Sequence, residues 1–277
     1  MLIRWITILA GGLYVLPFAA QAQTCTPEAT SQLIGDSTTL TTIPALTNVG
    51  TGGGSIAHLV TGNGWQTTFV LVNTGATTAQ THRKVFADSG SSLSLPISFP
   101  QSGSSAIAMM ATVDRTLAAG ASLVVQSAGP LSDPAPTISS AQITTDGNVG
   151  GFVVFRYNPN GQEAVVPLES RNAGAYLLAF DNTAGTATGV AINNVSTQAV
   201  SIPVVVRDDT GAQIATDTLR LAANGHLAFT LGTDKYPVTV NIEGTIELDA
   251  PAGAEIGAPG IRIPIAHTFT TLPALAK

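Results

Sequence analysis

The chain of 277 residues is acidic and poor in charge, because 11 basic and 17 acidic side chains give a formal net charge of −6 and charged residues make up 10% of the sequence. An acidic surface repels phosphate backbones, which excludes nucleic acid as a partner. Hydrophobic residues make up 44% of the chain, enough to bury a sizeable core, and this excludes a disordered protein.

The first 22 residues have the three parts of a secretory signal: a positive start, an apolar run over 5–18, and small residues at Ala20 and Ala22. We therefore predict a cleaved signal peptide over residues 1–22 and a mature chain that begins at Gln23. The mature protein is expected to be secreted, periplasmic or on the cell surface. The apolar run is shorter than the roughly 20 residues of a spanning helix, so no transmembrane segment is expected after cleavage.

The segment 23–54 is rich in threonine and ends in the glycine-rich stretch 50–54. This composition predicts a flexible leader. The single cysteine, Cys25, lies in it and cannot form a disulfide within either domain. An inert thiol, a lipid anchor and an intermolecular disulfide all stay open for Cys25.

From residue 55 onward the sequence predicts short β-strands separated by turns rich in Asn, Asp and Gly. The clearest case is the run 200–207, where Val200, Ile202, Val204 and Val206 alternate with polar or small residues. This period of two is typical of a half-buried strand and predicts that Val204 is buried. Proline at 203 cannot donate a ladder hydrogen bond and favours an edge strand or a bulge.

The chain also repeats itself. The stretch 69–79 reappears as 189–199, with the apolar run, an asparagine and a polar turn in the same order. Further turn and strand markers follow both copies, so Val72 is expected to match Ile192 and Leu123 to match Leu227.

Two repeats of about 100 residues, each rich in short strands, predict an all-β protein made of two tandem antiparallel immunoglobulin-like β-sandwiches. The first sandwich is placed at 55–158 and the second at 174–277, with an interdomain segment at 159–173. The apolar run 164–168 within that segment is expected to pack on one of the domains.

Four charged residues cluster around the interdomain segment: Glu163, Glu169, Arg171 and Asp181. They support two interpretations. Paired carboxylates about 5 to 10 Å apart across a cleft are what a glycosidase needs, while alternating charges in a linker also form plain salt bridges. The salt-bridged linker is the favoured interpretation, and no catalytic, cofactor-binding or metal-ligating residue is assigned.

Metal sites have little support. The four histidines, including His58, His226 and His267, are scattered with no pair at the spacing of zinc ligands. The turns 208–211 and 146–148 carry oxygens suited to calcium. Short Asp-Gly turns more often close hairpins, so calcium is kept only as an open possibility.

Three runs, 64–73, 161–169 and 269–273, resemble a tandem β-sandwich module of exported proteins from soil bacteria, especially acidobacteria. The resemblance covers roughly residues 55–275 and implies an exported pair of immunoglobulin-like domains. It implies no activity and carries over no functional residues, because that family is uncharacterised.

These observations lead to one functional hypothesis and two alternatives. The first is a non-catalytic exported protein that serves cell-surface or matrix adhesion, or acts as a spacer, with an extracellular protein or polysaccharide as its partner. The second is a carbohydrate-binding or hydrolytic protein that uses the interdomain cleft. The third is a chaperone similar to those of periplasmic pili, which hold a subunit's terminal carboxylate in a basic cleft. Arg171 has no companion lysine nearby, which ranks this alternative last.

Overall fold

The computed structural model describes residues 52–103, 105–264 and 269–277. In these residues the protein is all-β, with antiparallel sheets and no α-helix. None of the helices found there is long or apolar enough to cross a membrane. The predicted signal peptide, the start at Gln23, Cys25, the leader up to residue 51 and His267 lie outside the described residues.

We refer to the first ten strands as the first half and to the following ten as the second half. The strands of the first half are β1 (Gly52–Thr61), β2 (Trp65–Asn73), β3 (Ala79–Phe86), β4 (Leu95–Ser98), β5 (Ala108–Met110), β6 (Thr112–Leu117), β7 (Ser122–Ser127), β8 (Thr137–Thr145), β9 (Val149–Tyr157) and β10 (Gln162–Pro167). Those of the second half are β11 (Ala175–Asp181), β12 (Ala187–Asn194), β13 (Val200–Asp208), β14 (Gln213–Leu221), β15 (His226–Thr230), β16 (Glu243–Asp249), β17 (Ile256–Gly257), β18 (Gly260–Ile263), β19 (Thr270–Leu272) and β20 (Leu275–Ala276). Single turns of 3-10 helix occur at Pro100–Ser102 and Pro237–Thr239.

Each half has two sheets whose apolar faces meet in one core, giving a β-sandwich-like architecture. In the first half the strand orders are β1-β8-β3-β6 and β10-β9-β2-β7-β4-β5. Its core joins Val85 and Ile143 of one sheet to Phe69 and Val153 of the other. The alternation of apolar and polar residues in these strands places one face of each sheet in this core.

In the second half the strand orders are β14-β13-β16-β11-β20 and β15-β12-β18-β19. The core joins Val204 and Ile246 of one sheet to Ile192 and Phe229 of the other. Val204 is 1% exposed, which confirms its predicted burial. The apolar segment before the second half forms β10, which pairs with β9 and therefore packs on the first half, as predicted.

The prediction that proline 203 favours an edge strand or a bulge holds only locally, because β13 as a whole is not an edge strand. Strand β13 lies inside its sheet, between β14 and β16. Its pairing with β16 begins only at Val204, while Pro203 pairs with Thr218 of β14. The proline is tolerated because the segment before Val204 has a partner strand on one side only.

The prediction of a flexible stretch up to residue 54 is also corrected, because Gly52–Gly54 begin β1 and pair with β8. A side-chain carbon on Gly54 would lie 2.3 Å from the carbonyl oxygen of Glu169. The next residue, Ser55, exchanges backbone hydrogen bonds of 2.8 and 2.9 Å with Glu169. Glycine here permits a close approach of two backbone segments rather than a hinge.

Two asparagines, one in each half, make the same local hydrogen bonds. The Nδ2 of Asn73 and that of Asn194 each donate to the carbonyl oxygen four residues ahead, at 2.8 and 2.7 Å. The Oδ1 of each accepts a 2.9 Å hydrogen bond from the backbone N–H two residues ahead. Asn73 therefore corresponds to Asn194, whereas the sequence comparison matched it to Asn193.

The strand pairings agree with this shift of one residue. Leu71 pairs with Leu123, and Ile192 pairs with Leu227. In these pairings Leu123 and Leu227 hold like positions, and Leu71 rather than Val72 holds the position of Ile192. The apolar run alone is compatible with pairing Asn73 to either Asn193 or Asn194. The buried face of the strand selects Asn194.

The halves touch through side chains as well as through the chain that links them. Ile261 and Phe269, from the second half, pack against the core of the first half. The hydroxyl of Ser55 on β1 donates to Oδ1 of Asn172 at 2.7 Å and lies 3.4 Å from Oδ1 of Asn193 on β12. The two cores are therefore joined by a packed interface.

One core position differs sharply between the halves. Arg83 of β3 is opposite Ile143 of β8, and Val204 of β13 is opposite Leu248 of β16. Arg83 is 1% exposed, its guanidinium lies 4.6 Å from the centre of the Phe69 ring, and none of its side-chain nitrogens has a hydrogen-bond partner. Burial lowers the pKa of Arg83 to about 10, so the side chain stays charged at neutral pH.

A buried cation that makes no hydrogen bond costs more free energy than a cation–π contact of about 2 kcal/mol returns. We predict that Arg83→Met raises the free energy of unfolding by about 1 to 4 kcal/mol. The same change at the exposed Arg220 is the matched control and should alter it by less than about 0.5 kcal/mol. Thermal and denaturant unfolding measure both.

The reverse change in the second half completes this test. Val204→Asp places an unpaired carboxylate in the apolar core and should lower the free energy of unfolding by several kcal/mol, on the order of the total stability of a domain. If Arg83→Met is as destabilising as Val204→Asp, the arginine has a partner in solution and the account of this core is wrong.

Candidate functional site

The four residues of the predicted interdomain cleft form three separate ion pairs. Glu163 of β10 lies opposite Arg156 of β9, and their side chains meet at 2.6 Å with both about half exposed. Asp181 at the end of β11 pairs with Arg262 of β18 at 2.7 Å. Hydrogen bonds from Arg262 and then Thr183 lower the pKa of Asp181 to about 2.

Glu169 and Arg171 form the third pair, and of the four predicted residues only these two meet. Arg171 donates through Nε to Oε1 at 2.9 Å and through Nη2 to Oε2 at 2.6 Å, and its backbone N–H donates to Oε1 at 2.8 Å. Partial burial raises the pKa of Glu169, but the hydrogen bonds from Arg171 outweigh this effect and the pKa lies below its usual value. Both residues line a pocket of about 70 Å³ between the halves.

The carboxylates of the turns considered for calcium accept hydrogen bonds from the protein itself. Oδ1 of Asp208 accepts from the backbone N–H and the hydroxyl of Thr210 at 3.0 and 2.7 Å. Oδ1 of Asp146 accepts from the backbone N–H of Gln80 at 2.6 Å. Across the described residues, no group of three or more His, Cys, Asp or Glu side chains is placed to hold a metal ion.

A different constellation lies at the interface between the halves, and it joins two histidines that the sequence analysis considered scattered. His58 is on β1 and His226 begins β15. Their ring centres are 5.6 Å apart, and the ring of His58 also meets Phe155 edge-on at 5.6 Å. Most of the chain separates these histidines, so their spacing gave no signal; only the packing of the two halves brings them together.

Asp88 positions His226 from the turn that follows β3. Its Oδ1 lies 2.8 Å from Nδ1 of His226, and its carbonyl oxygen accepts from the backbone N–H of His226 at 3.2 Å. An ionised carboxylate only accepts, so Nδ1 of His226 carries the proton. This series of contacts therefore begins at Asp88 in the first half, continues through His226 in the second half and ends at His58 in the first half.

His58 is held as a neutral imidazole. Burial lowers its pKa from 6.5 to about 3; the neighbouring His226 lowers it further, and Asp88 opposes the shift. Nδ1 of His58 and Nε2 of His226 are both buried and have no hydrogen-bond partner. Buried polar atoms in folded proteins are nearly always paired, so two adjacent unpaired imidazole nitrogens mark this location as unusual.

His58 lines two pockets, with volumes of about 300 and 260 Å³. They share the side chains of His58, Ile138, Ile261 and Ile263. Trp65 is only partly buried and lines the larger pocket. Both halves therefore supply walls to one largely apolar site around an imidazole.

Comparison of the chain with protein families, curated proteins and solved structures finds no match.

The lowered pKa of His58, whose Nδ1 is buried although the residue as a whole is partly exposed, predicts a dependence of stability on pH. Between pH 6.5 and about 3 the unfolded chain binds a proton at this histidine that the folded chain does not bind, so the free energy of unfolding should fall as the pH falls through this window. The contribution of His58 between pH 6.5 and pH 5 is roughly 1 to 2 kcal/mol.

Denaturant unfolding at several pH values compares the wild type with His58→Phe, which keeps a ring but cannot titrate. The variant should lose less stability than the wild type over that interval. Equal losses would show that His58 is protonated as readily in the folded chain as in the unfolded one, which contradicts its burial as a neutral group.

Proposed function

We propose that this chain is an exported, non-catalytic protein made of two tandem immunoglobulin-like β-sandwiches, and that it serves cell-surface or matrix adhesion or acts as a spacer. The tandem arrangement is supported by strand order. In one sheet of each half the order is β1-β8-β3-β6 and β11-β16-β13-β14; in the other it is β10-β9-β2-β7 and β19-β18-β12-β15. The shared hydrogen bonds of Asn73 and Asn194 support a duplication.

The observation that carries the non-catalytic assignment is the pairing of each predicted cleft carboxylate with an arginine. Glu163, Glu169 and Asp181 are bound to three different arginines at 2.6 to 2.7 Å. A glycosidase needs one carboxylic acid with a raised pKa and one carboxylate facing the same bond. The pKa values of Glu169 and Asp181 are lowered instead, which favours the salt-bridged interpretation of this region.

Size and charge disfavour the two alternatives. The pocket beside Glu169 and Arg171 is about 70 Å³, less than half of the ~150 Å³ that holds a benzene molecule, and a sugar ring is larger than benzene. A chaperone that captures a terminal carboxylate needs a free cation. Arg171 already makes a bidentate contact with Glu169.

The packed interface between the halves supports a role in adhesion or spacing. A protein that transmits force or holds a partner at a distance benefits when its domains keep one relative orientation, since free linkers let them move independently. Here the linking segment adds strand β10 to the first half and pairs through Glu169 with Ser55, so that it is not a free linker.

The export step is tested by expressing the full chain in a bacterium that secretes proteins and by sequencing the N-terminus of the exported material. We expect a chain that begins at Gln23 and is found outside the inner membrane. A chain that retains Met1, or one that carries a lipid on Cys25, would contradict the proposed processing.

The non-catalytic role is tested with cells that display the mature chain, on surfaces coated with polysaccharides or matrix proteins, together with a hydrolase panel. Glu163→Gln and Glu169→Gln should leave adhesion unchanged and no substrate should be hydrolysed, because both carboxylates act in salt bridges. Val204→Asp serves as the misfolded control. If Glu169→Gln abolished hydrolysis, or either variant abolished glycan binding, the interdomain cleft would be the functional site and the proposed non-catalytic role would be wrong.

A further inference from the structure

The larger pocket beside His58 has an apolar wall built by both halves. Trp65 and Phe155 come from the first half, while Phe269 and Ile263 come from the second. The Trp65 ring lies 5.3 Å from that of Phe269, centre to centre, so the two halves meet directly in this wall. A movement of one half against the other would therefore reshape the pocket.

The size of the pocket fits a small organic molecule. Its volume of about 300 Å³ is twice the ~150 Å³ of an apolar protein cavity that takes up benzene, and it lies at the lower end of the ~300 to 1,000 Å³ range of ligand pockets. A ligand of matching shape gains dispersion contacts with the apolar side chains that line such a pocket.

The polar content of the pocket limits the charge of that molecule. Of the described residues that line it, none carries a charge, and His58 is the side chain with strong hydrogen-bonding groups, apart from the indole N–H of Trp65. His58 stays neutral because burial lowers its pKa to about 3. A carboxylate or an ammonium group would lose its hydration here and meet no opposite charge among the described lining residues.

The adjoining pocket of about 260 Å³ is the more polar of the two, since Asp234 and Thr230 contribute to its wall. It meets the larger pocket at His58, so the imidazole stands at the boundary between an apolar chamber and a more polar one. A ligand with an apolar body and one hydroxyl group would place the body against Trp65 and Phe155 and the hydroxyl at this boundary.

We propose that the pocket between the two halves binds a small, uncharged, mostly apolar molecule and that His58 recognises its single hydrogen-bonding group. The site goes beyond the adhesion or spacer role and does not depend on it.

Pyrene is a suitable probe, because it has no hydrogen-bonding group and accepts excitation energy from tryptophan. Trp65 is the one tryptophan outside the predicted signal peptide, and it lines the pocket. Mature wild-type protein should bind pyrene with energy transfer from Trp65. 1-Octanol should displace the probe at concentrations at least tenfold below those of octanoate. Absence of transfer, or equal displacement by octanoate, would overturn the proposal.

Variants that fill the pocket test whether pyrene binds there. Ala164 lines the pocket and Ala119 is an exposed turn residue. Ala164→Phe should fill the space and weaken pyrene binding more than tenfold, while the matched Ala119→Phe should leave binding unchanged. Ile138→Trp fills the same space from β8 and serves if Ala164→Phe does not fold. A folded filling variant that binds pyrene as well as wild type would place the probe elsewhere and refute the proposal.

His58→Phe tests the polar contact separately. The variant should bind pyrene about as well as wild type, and the affinity for 1-octanol should fall by about tenfold, the value of one lost hydrogen bond. An unchanged preference for the alcohol would contradict recognition by His58. None of these outcomes depends on export or adhesion, so the two proposals can fail independently.

Discussion

The contact on which the rest of the arrangement depends is made by two turns, one from each half. The turn after β3 places the carbonyl oxygen and the carboxylate of Asp88 on His226, at 3.2 and 2.8 Å. Two residues further on, a side-chain carbon at Gly90 would lie 1.8 Å from the carbonyl oxygen of Ala223. Backbone meets backbone here without room for any side chain, so the contact fixes the distance between the halves.

The pocket follows from that distance. Asp88 holds the His226 ring, and His226 lies against His58, which forms the boundary of both pockets. The walls come from different halves, so neither half alone contains the site. The burial that lowers the pKa of His58 has the same origin, because the second half covers β1 of the first. The fixed distance between the halves and the pockets beside His58 are therefore two consequences of one interface.

The sequence predicted much of the fold and little of the site. The alternation of apolar residues in β13 is local information, and it correctly placed Val204 in the core. The salt bridge between Glu169 and Arg171 could also be predicted, because two residues in one short segment are close whatever the fold.

The burial of Arg83 could not be predicted from the sequence, since a cation in an alternating strand ordinarily faces solvent. Glycines 52–54 indicated flexibility, whereas the structure uses Gly54 for close packing. The convergence of His58 and His226 depends on packing between distant strands, which no local pattern records.

The most direct test of this account compares Gly90→Ala with Gly211→Ala. The two glycines have similar left-handed φ values, 80° and 86°, but a side-chain carbon at Gly211 meets nothing within 4 Å. Both variants therefore carry the same backbone strain, and only Gly90→Ala adds a clash between the halves. Hydrogen exchange should show the slowest amides of both halves opening with one common free energy in wild type and in Gly211→Ala, and with two different, lower free energies in Gly90→Ala. Independent opening of the halves in wild type, or identical behaviour of the two variants, would contradict the claim that this interface holds the protein together.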